Sequence, residues 1–332
     1  MSFSKHGGAL DRAVAKFGGA KEKWLDLSTG INPNPYPLPN IPSDVWHRLP
    51  DEALLQRCLD AARMYYCLPE GAAIAAAPGT QALIQLLPQL TQAENVWIVG
   101  PTYNEYERVL DPCADITVSN QLPEHNDQID LIVLGLPNNP DGRLIDLDML
   151  VEQGRQIHAR GGLVLVDAAF GDVLGAGEEK LEALPVVPGI VVLRSFGKFF
   201  GLAGLRLGFA LGAPQLISRT SDLLGPWAVP GPALTVGEIA LSDKAWIGQA
   251  RLQLKQMRHQ LETVLQRRGL TLVGATDLFV TVSHTDSKHY ANLLAQNQIL
   301  VRTFDDNPGW IRFGLPGSQA DLERLENVLA LV

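Results

Sequence analysis

The sequence is poor in cysteine, charge and aromatic residues, and each shortage removes a class of protein. Its 332 residues contain three cysteines, Cys58, Cys67 and Cys113. They are odd in number and scattered, without a CxxC or His-x-x-x-His partner, so they read as reduced core thiols and not as a disulfide framework or a metal site. No stretch approaches the roughly eighteen uninterrupted apolar residues of a membrane span, and the opening residues show no basic segment followed by an apolar run. A cytoplasmic protein without a membrane partner is the expectation. Charged residues make up 19% of the chain, and 27 Lys and Arg stand against 36 Asp and Glu, a formal charge of −9. That balance speaks against a phosphate-backbone footprint, so nucleic acid is not an expected partner. Two nucleotide signatures also fail. Gly197-Lys198 is followed by Phe199 and not by Ser or Thr, and the glycines from Gly201 to Gly208 do not spell GxGxxG.

What is present is a substantial core: hydrophobic residues are 46% of the chain, and the length suits one large domain with a smaller companion. Pro33, Pro35, Pro37, Pro39, Pro42 and Pro50 fix φ and remove amide donors, which makes residues 1–50 an N-terminal arm with an extended segment. Beyond it, apolar runs at Asn95–Val99, Asp130–Leu134, Gly162–Val166, Ile190–Arg194 and Leu207–Leu211 read as buried strands. Helical patterns at Gln81–Leu90, Asp146–Arg160 and Pro214–Leu224 alternate with them, predicting an α/β domain over 51–232 with a mostly parallel central sheet. One long helix is predicted over 233–268, stopped by Gly269. Strands at Leu270–Val273, Leu278–Ser283 and Ile299–Arg302, then a helix at Gln319–Leu329, make 269–332 a small α+β domain.

Four segments carry possible chemistry. Lys198 follows a buried strand and is wrapped in glycine and phenylalanine; a lysine withdrawn from water tends to shed its proton and become a nucleophile toward carbonyls, although a surface lysine on a glycine-rich turn has the same local sequence. Asp167 ends the strand Leu163–Val166, where open α/β sheets place their ligands, but an aspartate there can also be a helix cap. Asn138-Asn139-Pro140-Asp141-Gly142 dictates a tight turn. Pro78-Gly79-Thr80-Gln81 opens a helix, where free amides and a hydroxyl suit a phosphate and equally serve as an ordinary cap.

In chain order, a helix-opening Gly-Thr, Asn-Asn-Pro-Asp-Gly, a strand-end Asp and then Ser-x-x-Lys with Arg206 downstream, the segments resemble the fold-type-I pyridoxal-phosphate enzymes over nearly the whole chain. The resemblance implies the fold of PLP-dependent transferases, with pyridoxal 5′-phosphate bound covalently by Lys198 and its ring nitrogen paired with Asp167. It assigns Asn139 to the phenolic oxygen, Gly79, Thr80, Ser195 and Arg206 to the phosphate, Tyr103 to the face of the ring, and Gln81 to cofactor binding. Within the fold, His6-Gly7-Gly8-Ala9 and Asp26-Leu27-Ser28-Thr29-Gly30-Ile31-Asn32-Pro33 are similar to opening motifs of the threonine-phosphate decarboxylases of cobalamin synthesis, relatives of the histidinol-phosphate aminotransferases. Phe170 stands where the aminotransferases usually carry a tyrosine. The resemblance implies decarboxylation of a small amino phosphate by a homodimer, with aminotransfer to histidinol phosphate or a similar compound as the alternative. It gives His6, Gly7, Gly30 and Asn32 to substrate binding, Arg302 to the substrate phosphate and Arg312 to the carboxylate region. Guanidinium forks match both anions. Two departures stand out: Ala168 replaces a common acidic residue, and Leu49 stands where relatives often have a tyrosine reaching the partner's phosphate, with Tyr65 or Tyr66 as possible substitutes.

Overall fold

The apolar runs pair with one another in the computed structural model, which describes residues 7–125, 127–174 and 181–331. The strands among these residues are β1 (Leu25–Leu27), β2 (Ala73–Ala77), β3 (Asn95–Val99), β4 (Asp115–Ser119), β5 (Leu131–Gly135), β6 (Leu163–Asp167), β7 (Ile190–Ser195), β8 (Gly208–Gly212), β9 (Thr271–Thr276), β10 (Phe279–Ser283), β11 (Ile299–Thr303) and β12 (Trp310–Gly314). The chain divides into two units. The larger comprises Tyr36–Asn139 and Arg143–Ile247; the smaller comprises the residues through Pro35, the short stitch Pro140–Gly142, and Gly248 onward.

The larger unit holds a seven-stranded sheet in the order β2-β8-β7-β6-β5-β3-β4. β7, β6, β5, β3 and β4 run parallel, while β8 is antiparallel to both its neighbours. The fold is therefore the mostly parallel α/β fold that the alternating pattern predicts. β5 and β8 are buried at every position, as continuous apolar runs require. The connecting helices start at sequence signals: Asp146 accepts hydrogen bonds from the amides of Asp148 and Met149 at 2.9 and 3.0 Å, and Pro214 occupies the first turn of Pro214–Leu224.

Three expectations about elements are corrected. The helix predicted over 233–268 is two helices, Gly231–Ser242 and Lys244–Arg267, because Asp243 leaves helical geometry and caps the second by accepting from the Trp246 amide at 3.0 Å. The helix predicted over 81–90 is likewise Thr80–Gln85 followed by Leu87–Thr91, with Pro88 in the first turn of the second piece. Finally, the extended segment expected over 31–50 is interrupted by a helical turn at Asp44–His47.

The smaller unit holds a five-stranded sheet in the order β1-β11-β12-β10-β9. β1 runs parallel to β11, in register Leu25 with Ile299, and the other pairs are antiparallel. Ala13, Trp24, Ala295 and Leu300 form a buried cluster that ties the helix Leu10–Phe17 to this sheet.

Candidate active site

The register of the larger sheet gathers the expected cofactor residues at one edge. Gly135 is opposite Asp167, and Ser195 is opposite Gly208, which is itself opposite Ala77. The turn bearing Asn139 leaves β5, Asp167 ends β6, Ser195 and Lys198 follow β7, and Gly79 follows β2. Strand ends in open α/β sheets leave backbone groups and side chains facing outward, which is why ligands collect there. Asn138 ties two of these turns together by donating from Nδ2 to the Pro101 carbonyl at 2.8 Å.

Lys198 lies in a single helical turn, Phe196–Phe199, and is half-buried. Its aromatic neighbours clamp that turn. Phe196 stacks on Phe200 with centroids 4.4 Å apart, Phe200 stacks on Trp246 at 5.5 Å, and the Tyr36 amide donates to the Phe200 carbonyl at 2.9 Å. The Lys198 Nζ is 5.7 Å from the centroid of the Phe170 ring.

Asp167 is held from two sides. Its Oδ2 accepts from the Tyr106 hydroxyl at 2.7 Å and its Oδ1 from the Ala169 amide at 3.0 Å. Burial raises its proton affinity above that of an ordinary aspartate, and those two donors and the charge of Lys198 oppose the rise. Tyr106 was not among the residues the sequence singled out. A buried tyrosine hydroxyl needs a partner, and its helical spacing from Tyr103 is the one signal that could have pointed to it.

The phosphate end is built from backbone. Gly79 has φ +81°, and a Cβ there would lie 2.7 Å from Arg206 Nη2. The guanidinium thus rests against Gly79, at the opening of the helix Thr80–Gln85. Free amides, a hydroxyl and a guanidinium make a donor set suited to a phosphate dianion.

The remaining expected residues fall in the smaller unit, except that His6 lies outside the described residues. Arg302 and Arg312 are opposite each other on β11 and β12. Arg312 is 6% exposed and donates from Nη2 to the Ser28 carbonyl at 2.8 Å. Burial lowers its pKa to about 9, helped by Arg302 and opposed by Asp26. The Gly8 amide donates to Ser28 Oγ at 2.8 Å, and a Cβ on Gly7 would collide with the Ser28 carbonyl. The two N-terminal motifs therefore meet at Ser28, next to Arg312. Gly30 and Asn32 are buried on the same segment, and Asn32 Oδ1 accepts from the Asn34 amide at 2.9 Å.

Of the two tyrosines considered in place of Leu49, Tyr66 is not available. It is 5% exposed, with the Arg194 guanidinium 4.5 Å above its ring, and Arg194 is in turn paired with Asp172 at 2.7 Å. Among the described residues no helix is long and apolar enough to cross a membrane, and no group of three or more metal-ligating side chains occurs.

A lysine after β7, a carboxylate ending β6 and a helix opening after β2 stand at neighbouring strand ends, and the chain belongs to the family described as aminotransferase class I and II, whose profile matches residues 61–329. Within that class the chain is similar to threonine-phosphate decarboxylases. It is 43% identical to the one from Sinorhizobium sp, over 98% of this chain and 97% of that protein. It is 36% identical to the one from Pseudomonas aeruginosa, over 98% and 97%. Among solved structures, histidinol-phosphate aminotransferase from Sinorhizobium meliloti in complex with pyridoxal-5′-phosphate superposes with a TM-score of 0.81, covering 97% of this chain and 95% of that one at 17% identity. That likeness bears on the fold.

Proposed function

We propose that this protein is a pyridoxal 5′-phosphate-dependent carboxy-lyase that converts L-threonine O-3-phosphate to (R)-1-aminopropan-2-yl phosphate and CO2 in cobalamin (vitamin B12) biosynthesis. The near full-length identity with the two decarboxylases carries the choice of reaction. The residues fit the cofactor: Gly79 leaves room for the Arg206 guanidinium at a helix opening, and Asp167 is oriented by two donors at a neighbouring strand end.

When bound, pyridoxal 5′-phosphate supplies an aldehyde for the substrate amine and an electron-withdrawing ring that takes up the electrons released as CO2 departs. The chain's own residues do the rest. Asp167, whose carboxylate is favoured by the Tyr106 hydroxyl and the Ala169 amide, would pair with the ring nitrogen and hold a proton on it. Lys198 carries the cofactor through Nζ and, once released from it, donates a proton to the substrate Cα. Gly79, Thr80, Ser195 and Arg206 would hold the cofactor phosphate, Asn139 its phenolic oxygen and Tyr103 its ring, with Gln81 beside them. Arg302 binds the substrate phosphate and Arg312 its carboxylate, with His6, Gly7, Gly30 and Asn32 from the N-terminal segment completing the substrate contacts. The bond that breaks is the one aligned perpendicular to the ring, so orientation of the carboxylate selects decarboxylation.

The alternative, aminotransfer to histidinol phosphate or a similar amino phosphate, uses the same cofactor residues and draws on the fold likeness and on more distant sequence similarity. Incubating the pure protein with pyridoxal 5′-phosphate and L-threonine O-3-phosphate separates the two. The decarboxylase releases CO2 without a keto acid; an aminotransferase releases none and needs one. The proposal also carries a homodimer, tested by sedimentation, and a cytoplasmic location, tested by fractionation.

A further inference from the structure

Gln81 enters the site through its position beside Gly79 and Thr80, yet its side chain is occupied elsewhere. Gln81 Oε1 accepts from the Tyr103 hydroxyl at 3.1 Å, and Gln81 Nε2 donates to Glu105 Oε2 at 2.7 Å. Glu105 is 6% exposed and takes Arg108 Nε and Nη2 at 2.9 and 2.6 Å. The order of donors is forced. A carboxylate ionised by a guanidinium only accepts, so the NH2 end of the Gln81 amide must face Glu105. Its carbonyl end is then left to Tyr103, whose hydroxyl can only donate to it. The Tyr103 pKa, pushed up to about 12 mainly by burial, keeps that proton in place. Tyr106 meets the Tyr103 ring edge to face, with centroids 6.2 Å apart at 87°. Both the hydroxyl and one edge of Tyr103 are therefore fixed by neighbours.

We infer that Glu105 and Gln81 are positioning residues that set the plane of the Tyr103 ring, and that the Gln81 side chain acts on the ring of the cofactor and not on its phosphate. This rests on the cofactor reading above. The brace acts at a distance from the surface: Arg108 is exposed, and its hold on Glu105 propagates through an amide to an aromatic face.

The test compares two aldehydes, pyridoxal 5′-phosphate and pyridoxal, on the full-length protein, using visible absorbance and induced circular dichroism. Gln81→Leu is expected to weaken both by the same factor, about three- to tenfold, and to diminish the induced signal. Tyr103→Phe, which keeps the ring and removes the hydroxyl, should do the same, and the double variant should lose no more than either single one. Glu105→Leu, which removes the acceptor for the Gln81 amide, should weaken both aldehydes in the same way, and a Glu105→Leu protein that binds both as wild type does takes Glu105 out of the brace. A Gln81→Leu protein that loses affinity for pyridoxal 5′-phosphate alone places the side chain at the phosphate and overturns the inference. Unchanged affinity and unchanged circular dichroism in both Gln81→Leu and Tyr103→Phe overturn it as well. Wild-type protein that binds neither aldehyde instead removes the cofactor reading itself.

Discussion

Asp167 at the end of β6 is surrounded by hydrogen-bond donors and a cation, whereas Arg312 on β12 stands across the ladder from a second arginine. Both charges are withdrawn from water, which is costly. For the carboxylate the chain itself supplies the compensation, through Tyr106, the Ala169 amide and Lys198. For the guanidinium the chain supplies the Ser28 carbonyl and the charge of Asp26, while Arg302 across the ladder opposes its charge. A group whose partners are built in is ready to act on a permanent companion. A like-charged pair gains most from an anion that arrives from outside, as a phosphorylated amino acid would. On the proposed function, Asp167 serves the cofactor and the Arg302–Arg312 pair the substrate.

Substitutions can break this contrast. Lys198→Ala should abolish both CO2 release and the visible absorbance of added pyridoxal 5′-phosphate; a coloured, active variant would remove the cofactor side altogether. Asp167→Ala should lower turnover by about 10²- to 10³-fold while some cofactor stays bound, as measured by steady-state kinetics on cofactor-saturated protein. Arg302→Ala should raise KM for L-threonine O-3-phosphate by about ten- to a hundredfold and hardly change binding of unphosphorylated threonine. Equal effects on the two compounds would take Arg302 away from the phosphate. Tyr106→Phe should have the smallest effect, about three- to tenfold on turnover, with a change in pH dependence. Burial raises the Asp167 proton affinity and Tyr106 lowers it, so losing the hydroxyl moves the acid limb of kcat/KM to higher pH. A limb that stays in place would show that Tyr106 does not control the charge of Asp167.

The sequence made the strands of the large sheet legible wherever apolar runs were long and bounded by turns: β3 and the helices Pro214–Leu224 and Gln319–Leu329 fall where the pattern puts them. It concealed others for physical reasons. β2 reads Ala-Ile-Ala-Ala-Ala, a composition that favours helix when considered alone and becomes a strand only through pairing with β8. β4 is largely exposed, with only Ile116 and Val118 apolar, and β1 is three residues long with a partner far along the chain. The residues that resemble family motifs were legible because their order is informative. Tyr106, Glu105, Asp172 and Arg194 were not, because a tyrosine at helical spacing and single charged residues in apolar surroundings acquire meaning only when a three-dimensional neighbour satisfies them.

The pairing of Leu25 with Ile299 sets a timetable for the polypeptide during its synthesis. The larger unit's strands are complete once Gly212 has been made, so that sheet can form while translation continues. β1, although among the first segments to leave the ribosome, has no ladder to join until nearly the whole message has been read. Slow closure of such a distant contact is the expected bottleneck of maturation, and a transcript truncated before codon 299 would leave β1 without the strand it pairs with.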